Sequence, residues 1–148
     1  MFVAGVDGCR AGWIASKVEV PSLATSIDLV DLPKLLSSRP NDLLCLAIDI
    51  PIGLLDCLRA CDKAARNLLG QPRGASVFPS PCRAAVSATT HTAANQFVVR
   101  KHIGLSQQAF GIMPKIKQVD DAITPNCQKW RSTFIPKFVS GYSTSINR

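Results

Sequence analysis

The chain of 148 residues contains a single glutamate, Glu19, and no acid at all after Asp121. It also lacks a long apolar run, because the longest, residues 43–55, is interrupted by Asp49 and Pro51 and is too short to span a bilayer. Asp7 lies where a signal peptide has apolar residues. We therefore expect a soluble, cytoplasmic protein with no membrane partner.

The six cysteines form no CxxC pair and no regular framework, which is typical of reduced thiols and not of a disulfide-rich secreted module. Hydrophobic residues make up 47% of the chain and charged residues 18%, so wholesale disorder is excluded. The length suits one domain with its own core.

Charge divides the chain into two unlike parts. Residues 1–56 hold seven acids and four bases, whereas residues 57–148 hold three acids and thirteen bases, within a net charge of +7. The basic part predicts either contact with a polyanion or a solvated basic surface, and the sequence leaves these alternatives open.

The first fifty residues predict strands with one helix among them. Asp31 is the expected cap of a helix that reaches Ser37, with Pro33 in its first turn. The strands are expected at residues 1–7, 13–20, 25–30 and 43–50. The last of these is apolar almost throughout, which indicates burial on both faces.

Helical spacing dominates the rest of the chain up to residue 123. Asp56 is the expected cap of the first of these helices, and Asp62 and Arg66 are expected to form a surface ion pair on it. We expect Ser80 to open a second helix and Ser106 to cap a later one. Helical segments are predicted at residues 57–69, 93–103, 106–113 and 114–123.

Asp7 and Asp49 each end an apolar strand and precede a turn that contains glycine or proline. Ligands gather at the carboxyl ends of strands in α/β sheets. Two carboxylates there could chelate Mg²⁺ or Mn²⁺ through hard oxygens, or could simply cap loops. Phosphoryl transfer between two such ions needs more ligands than these two acids.

Six blocks in the right order resemble one known family. They are GVDGCRAGW (5–13), IDIPIGL (48–54), CDKAAR (61–66), RGASVFPSPCR (73–83), GLSQQA (104–109) and PKIKQVD (114–120). The chain resembles, over roughly residues 2–123, the domain of unknown function 429 family, described as predicted RNase H-like nucleases.

The resemblance implies an α/β fold of RNase H-like type: three antiparallel strands, a helix and a parallel central strand, followed by helices. It implies that Asp7 and Asp49 are catalytic residues that bind Mg²⁺ or Mn²⁺. The matching domain is expected over residues 1–123, incomplete at its C-terminal end. Residues 124–148 are expected to form an irregular basic tail.

Family members usually continue with a further strand that carries a glutamate, and this chain departs from that pattern after Ile123. A truncation or frameshift would remove a sheet strand and a third metal ligand. Asp120 is the remaining candidate for that ligand. Loss of a strand would also expose a sheet edge, through which the chain could associate with itself.

Five residues are candidates for substrate binding. Guanidinium groups bind phosphate in a bidentate manner, and a hydroxyl or an ammonium can support them. The candidates are Arg10, Arg73, Ser76, Arg83 and Lys115.

Three functions remain open from the sequence. The first is a metal-dependent nuclease, and the second is a non-catalytic nucleic-acid- or nucleotide-binding domain of the same fold. The third is a small-molecule phosphate enzyme, which is disfavoured because the turn after the first strand lacks a long Gly/Thr/Ser phosphate loop. Because only two carboxylates are in place, we expect weak, salt-sensitive binding of nucleic acid with little or no cleavage.

Overall fold

The computed structural model describes residues 1–38, 40–57, 59–99 and 104–123, together with the backbone of residues 134–136. Five strands form one mixed sheet in the spatial order β3-β2-β1-β4-β5. They are β1 (Phe2–Cys9), β2 (Gly12–Glu19), β3 (Thr25–Val30), β4 (Leu43–Ile48) and β5 (Phe134–Pro136).

β1, β2 and β3 form an antiparallel meander, and β4 lies parallel to β1 on its other side. The predicted α/β class is confirmed at this level: three antiparallel strands, a helix, and a parallel strand beside β1, with further helices after it. The strands begin and end within a few residues of the positions that the apolar patterns predict.

β5 pairs in parallel with β4 at three positions, Leu46, Ala47 and Ile48. Its residues belong to the segment that the sequence predicts to be an irregular tail, residues 124–148. Here that segment supplies a strand to the sheet and covers part of the β4 edge. The rest of the segment lies outside the described residues, so the domain boundary at residue 123 stays a prediction.

Four helices complete the described fold: α1 (Leu32–Ser38), α2 (Ala60–Leu69), α3 (His91–Val99) and α4 (Gln107–Ala122). Asp31 caps α1 as predicted, because its Oδ1 accepts a hydrogen bond from the Lys34 amide at 3.0 Å. None of the described helices has the length and apolar character that crossing a membrane requires.

α2 begins three residues later than the sequence predicts, and Arg59 instead of Asp56 occupies its N-cap position. The preceding segment is held elsewhere, since the Leu55 carbonyl accepts a hydrogen bond from the Arg83 amide at 2.9 Å. The prediction of a helix that opens at Ser80 is also wrong. Only a short 3-10 turn, Arg83–Ala85, forms there.

α4 is one helix where the sequence predicts two, and Pro114 lies inside it. Proline removes one hydrogen-bond donor from a helix interior. Met113 and Ile116, on either side of this position, are almost wholly buried, so packing holds the helix together across the missing bond. Ser106 caps α4 as predicted, with its Oγ 3.0 Å from the Ala109 amide.

The main core lies between one face of the sheet and the helices α1 and α4. It is built from alternate residues of the strands together with the apolar residues of these helices, such as Val6, Ile48, Leu36, Ile116 and Val119. The opposite face of the meander carries side chains that remain exposed, including Ile27 (66%) and Leu29 (64%). The described helices therefore cover only one side of the sheet.

Candidate metal site at the strand ends

Asp7 and Asp49 lie side by side on the neighbouring parallel strands β1 and β4. Val6 pairs with Ile48 in the register, and each aspartate is the next residue along its strand. The Asp49 amide donates to the Val6 carbonyl at 2.9 Å, so the ladder continues to this point. Neighbouring strands are about 4.8 Å apart, which brings the two Cα positions close together.

Both aspartates belong to the sheet face that α1 and α4 leave uncovered. Side chains alternate along a strand, and Val6 and Ile48 point into the core, so the next residue on each strand is on the opposite side. Asp7 is exposed and Asp49 is half-buried. The two aspartates are therefore placed on one accessible face of the sheet.

Small residues precede the aspartates and keep this surface open. Gly5 pairs with Ala47 one step before them on the same face. A Cβ atom added at Gly5 would have no atom within 4 Å. The Oδ1 atom of Asp7 accepts a hydrogen bond from the Gly8 amide at 2.6 Å, which orients the carboxylate two residues before the end of β1.

Asp120, the third metal candidate, is engaged elsewhere. The Nη1 and Nη2 atoms of Arg83 donate to the Asp120 carboxylate at 2.5 and 3.2 Å. Its helix, α4, packs on the core face of the sheet, opposite the face that carries Asp7 and Asp49. Within the described ranges, no three His, Cys, Asp or Glu side chains are grouped so that they could hold a metal ion.

The candidates for substrate binding are spread over three parts of the fold. Arg10 is exposed in the turn between β1 and β2, three residues after Asp7. Arg73 and Ser76 are exposed at the two ends of a 3-10 turn, Arg73–Ser76, that follows α2. Arg83 is tied to Asp120. Of these, Arg10 is the one closest along the chain to the two strand-end aspartates.

Lys115 makes contacts that fix the turn beside the site. Its Nζ atom donates to the Gly12 carbonyl at 2.5 Å and lies 4.8 Å from the centroid of the Trp13 ring. The indole nitrogen of Trp13 in turn donates to the Gln118 side chain at 3.0 Å. α4 thus holds the β1–β2 turn from the core side through one cation–π contact and two hydrogen bonds.

The predicted ion pair between Asp62 and Arg66 is wrong. Asp62 accepts two hydrogen bonds from Arg59, at 3.1 and 3.0 Å, and one from the Ser80 amide at 3.0 Å. The Nη1 atom of Arg66 donates instead to the Val77 carbonyl at 2.7 Å. The spacing of three residues from Arg59 to Asp62 indicates this ion pair in the sequence, since side chains three or four apart are neighbours on a helix.

Comparison with known proteins places the chain in one family. No curated protein and no solved structure matches it. Residues 5–136 match the family described as "Protein of unknown function (DUF429)", a range that includes both strand-end aspartates and reaches the end of β5. Since the match covers most of the chain, this protein belongs to that family.

Proposed function

We propose that this chain is a cytoplasmic nucleic-acid-binding domain of the RNase H-like type, related to metal-dependent nucleases. In this proposal Asp7 and Asp49 bind a divalent cation that helps to hold a phosphodiester, and cleavage is weak or absent. The observation that carries the proposal is the adjacency of these two aspartates at the carboxyl ends of parallel strands.

The sheet supports the RNase H-like part of the proposal. An antiparallel meander followed by a helix and a strand parallel to β1 is the order that the sequence resemblance implies. The short β5 extends the sheet on the far side of β4 in the same direction. The likeness concerns architecture, so the function still depends on the chemistry of the site.

The residues at the site fit a hard cation. Mg²⁺ and Mn²⁺ prefer carboxylate oxygens, and two carboxylates on one open surface provide them. When bound, such an ion stabilises negative charge on phosphoryl oxygens. Without it, the two carboxylates would repel a phosphate backbone.

The number of ligands limits the chemistry. Two carboxylates neutralise one divalent ion, whereas a pair of ions brings four positive charges to the site. Asp120 supplies no further charge there, because Arg83 neutralises it on the core side of the sheet. Because the site has only two carboxylates, we expect it to bind nucleic acid with little or no cleavage.

Thermal unfolding with and without metal tests the site. At about ten times the dissociation constant, a bound ion stabilises the fold by about 1.4 kcal/mol. For a domain of this size, that corresponds to an increase in Tm of about 3–6 °C. We expect Mg²⁺ or Mn²⁺ to produce this increment in the native chain and not in Asp7→Asn/Asp49→Asn.

Asp121→Asn is the matched control, because it removes an exposed carboxylate that pairs with Lys117 on α4. It should keep the whole metal increment, and so should Asp120→Asn. The metal-induced increment is the quantity to compare, because the substitutions also change the Tm of the metal-free protein. An equal increment in the double variant would refute the assignment of Asp7 and Asp49.

Gel-shift and cleavage assays over a salt series test the function. We expect affinity for a generic single-stranded oligonucleotide to fall steeply as salt rises, because the contacts neutralise phosphates. With Mn²⁺ present, we expect little or no shortening of the oligonucleotide. Strong cleavage that disappears in Asp49→Asn would favour a competent nuclease, and binding that does not respond to salt would contradict the proposal.

A further inference from the structure

Arg66 is a half-buried cation whose charge is not balanced by an acid. Among the residues that the structure describes, ion pairs involve Lys17, Arg59, Arg83 and Lys117, and Arg66 is in none of them. Asp62, the nearest acid along α2, is already engaged by Arg59 and the Ser80 amide. One guanidinium nitrogen of Arg66 bonds to the Val77 carbonyl, and this fixes the group in place.

Arg66 is one of five residues that line a cavity of about 400 Å³ between the end of α2 and the following 3-10 turn. This volume is in the range of small-molecule sites in proteins. Side-chain amides and glycine backbone complete the wall. The lining residues are Arg66, Asn67, Gly70, Gln71 and Gly74.

The backbone around the cavity is tightly organised. The Gly70 amide donates to the Arg66 carbonyl at 3.1 Å, and the Gly74 amide donates to the Gly70 carbonyl at 2.5 Å. A Cβ atom at Gly74 would lie 2.8 Å from the Arg66 carbonyl oxygen, so the turn approaches the helix as closely as glycine permits. The backbone of the wall is therefore held in place before any ligand arrives.

The surrounding charge favours an anion. No aspartate or glutamate occurs between Asp62 and Asp120 in the sequence. Lys63 and Arg73 flank the lining residues along the chain, and both are exposed. Arg66, the side-chain amides of Asn67 and Gln71 and the exposed bases beside them offer hydrogen-bond donors, and none of the described residues that line the cavity is an acid.

We propose that this cavity, the Arg66 cavity, binds a phosphate group. Guanidinium forks match phosphate oxygens with paired hydrogen bonds, and the amide nitrogens of Asn67 and Gln71 can reach other oxygens of the same group. The cavity uses none of the residues of the strand-end site. The proposal thus goes beyond the function proposed above and stands or falls independently of it.

Inorganic phosphate and a trinucleotide with internal phosphodiesters only are the two probes. They distinguish a site for free phosphate from a site for the nucleic-acid backbone. Isothermal titration at constant ionic strength measures each affinity in the full chain. We expect saturable, one-to-one binding of at least one of the two probes.

Gln71→Glu and Asn67→Asp test the cavity without touching the Arg66–Val77 hydrogen bond. Each places a carboxylate beside the phosphate, and such like-charge contacts should weaken binding by about tenfold or more. Gln96→Glu is the matched control, because Gln96 is exposed on α3 and does not line the cavity. It makes the same chemical change and should leave the affinity within about twofold of the native value, as expected for a distant screened charge.

Arg66→Lys keeps the charge but loses the planar fork, and should weaken binding as well. Asp7→Asn/Asp49→Asn should bind phosphate as the native chain does, which separates this site from the metal site. Equal affinities in Gln71→Glu and Gln96→Glu, or no saturable binding of either probe, would overturn the proposal.

Discussion

Asp62 offers a sharp test of what holds the segment after α2 in place. Its carboxylate receives two hydrogen bonds from Arg59 and one from the Ser80 amide. The side chains of Arg59 and Asp62 are only 13% and 9% exposed, so the pair lies largely out of water. Breaking a buried pair by removing one partner typically costs about 3–5 kcal/mol.

Asp62→Ala should therefore lower the free energy of unfolding by about 3–5 kcal/mol. It leaves the Arg59 guanidinium without its counter-ion and the Ser80 amide without an acceptor, at a residue only 4% exposed. Asp62→Asn keeps an acceptor of similar shape and should cost less. Because a domain is stable by about 5–15 kcal/mol in total, the alanine variant loses a large fraction of its stability.

Urea unfolding followed by circular dichroism measures these differences. Asp121→Ala is the control, since it breaks the exposed i,i+4 pair with Lys117 and should cost less than about 1 kcal/mol. Adding Arg59→Ala to Asp62→Ala should cost less than the sum of the two single changes, because the unpaired guanidinium disappears with its partner. Equal costs for Asp62→Ala and Asp121→Ala would refute the reasoning.

Two further changes test how α4 is anchored. In Gly8→Ala the new Cβ would lie 2.6 Å from Cδ of Lys115, so the flexible end of that side chain must leave the Gly12 carbonyl, and we expect a loss of about 1 kcal/mol in urea unfolding, the size of one hydrogen bond. Adding Lys115→Ala should cost less than the sum of the two single changes, because both disrupt the same contact, and additive costs would contradict the steric explanation. Ser106→Ala removes the acceptor for the Ala109 amide and should cost about 1 kcal/mol, whereas Ser106→Asp should restore most of it.

Local patterns were sufficient to predict β1 to β4 and two of the helix caps, but not β5 or the start of α2. An apolar run that ends in an acid indicates where β4 stops, and Asp31 and Ser106 cap their helices through atoms three residues away. The resemblance and the strand-end rule also predict that Asp7 and Asp49 are neighbours, and the register of β1 and β4 agrees with this. These signals are local, or depend on a rule shared by α/β sheets, so they can be read from a single sequence.

The contacts that could not be predicted from the sequence join distant parts of the chain. Lys115 reaches Gly12 across 103 positions, and no local pattern indicates that partner. From the sequence, Arg83 could equally have contacted a ligand. The structure shows that it forms an ion pair with Asp120. Pro114 favours a helix boundary by its own chemistry, but the burial of residues on either side outweighs that preference.

The parallel pairing of β1 with β4 also determines the order in which the molecule can assemble. β1, β2 and β3 are joined by short turns, so the meander needs only local loop closure. Pairing β4 with β1 must wait until the chain has passed through β3 and α1, and non-local pairings of this kind form more slowly. Asp7 and Asp49 therefore become neighbours only when β4 pairs with β1, so the meander alone cannot form the site.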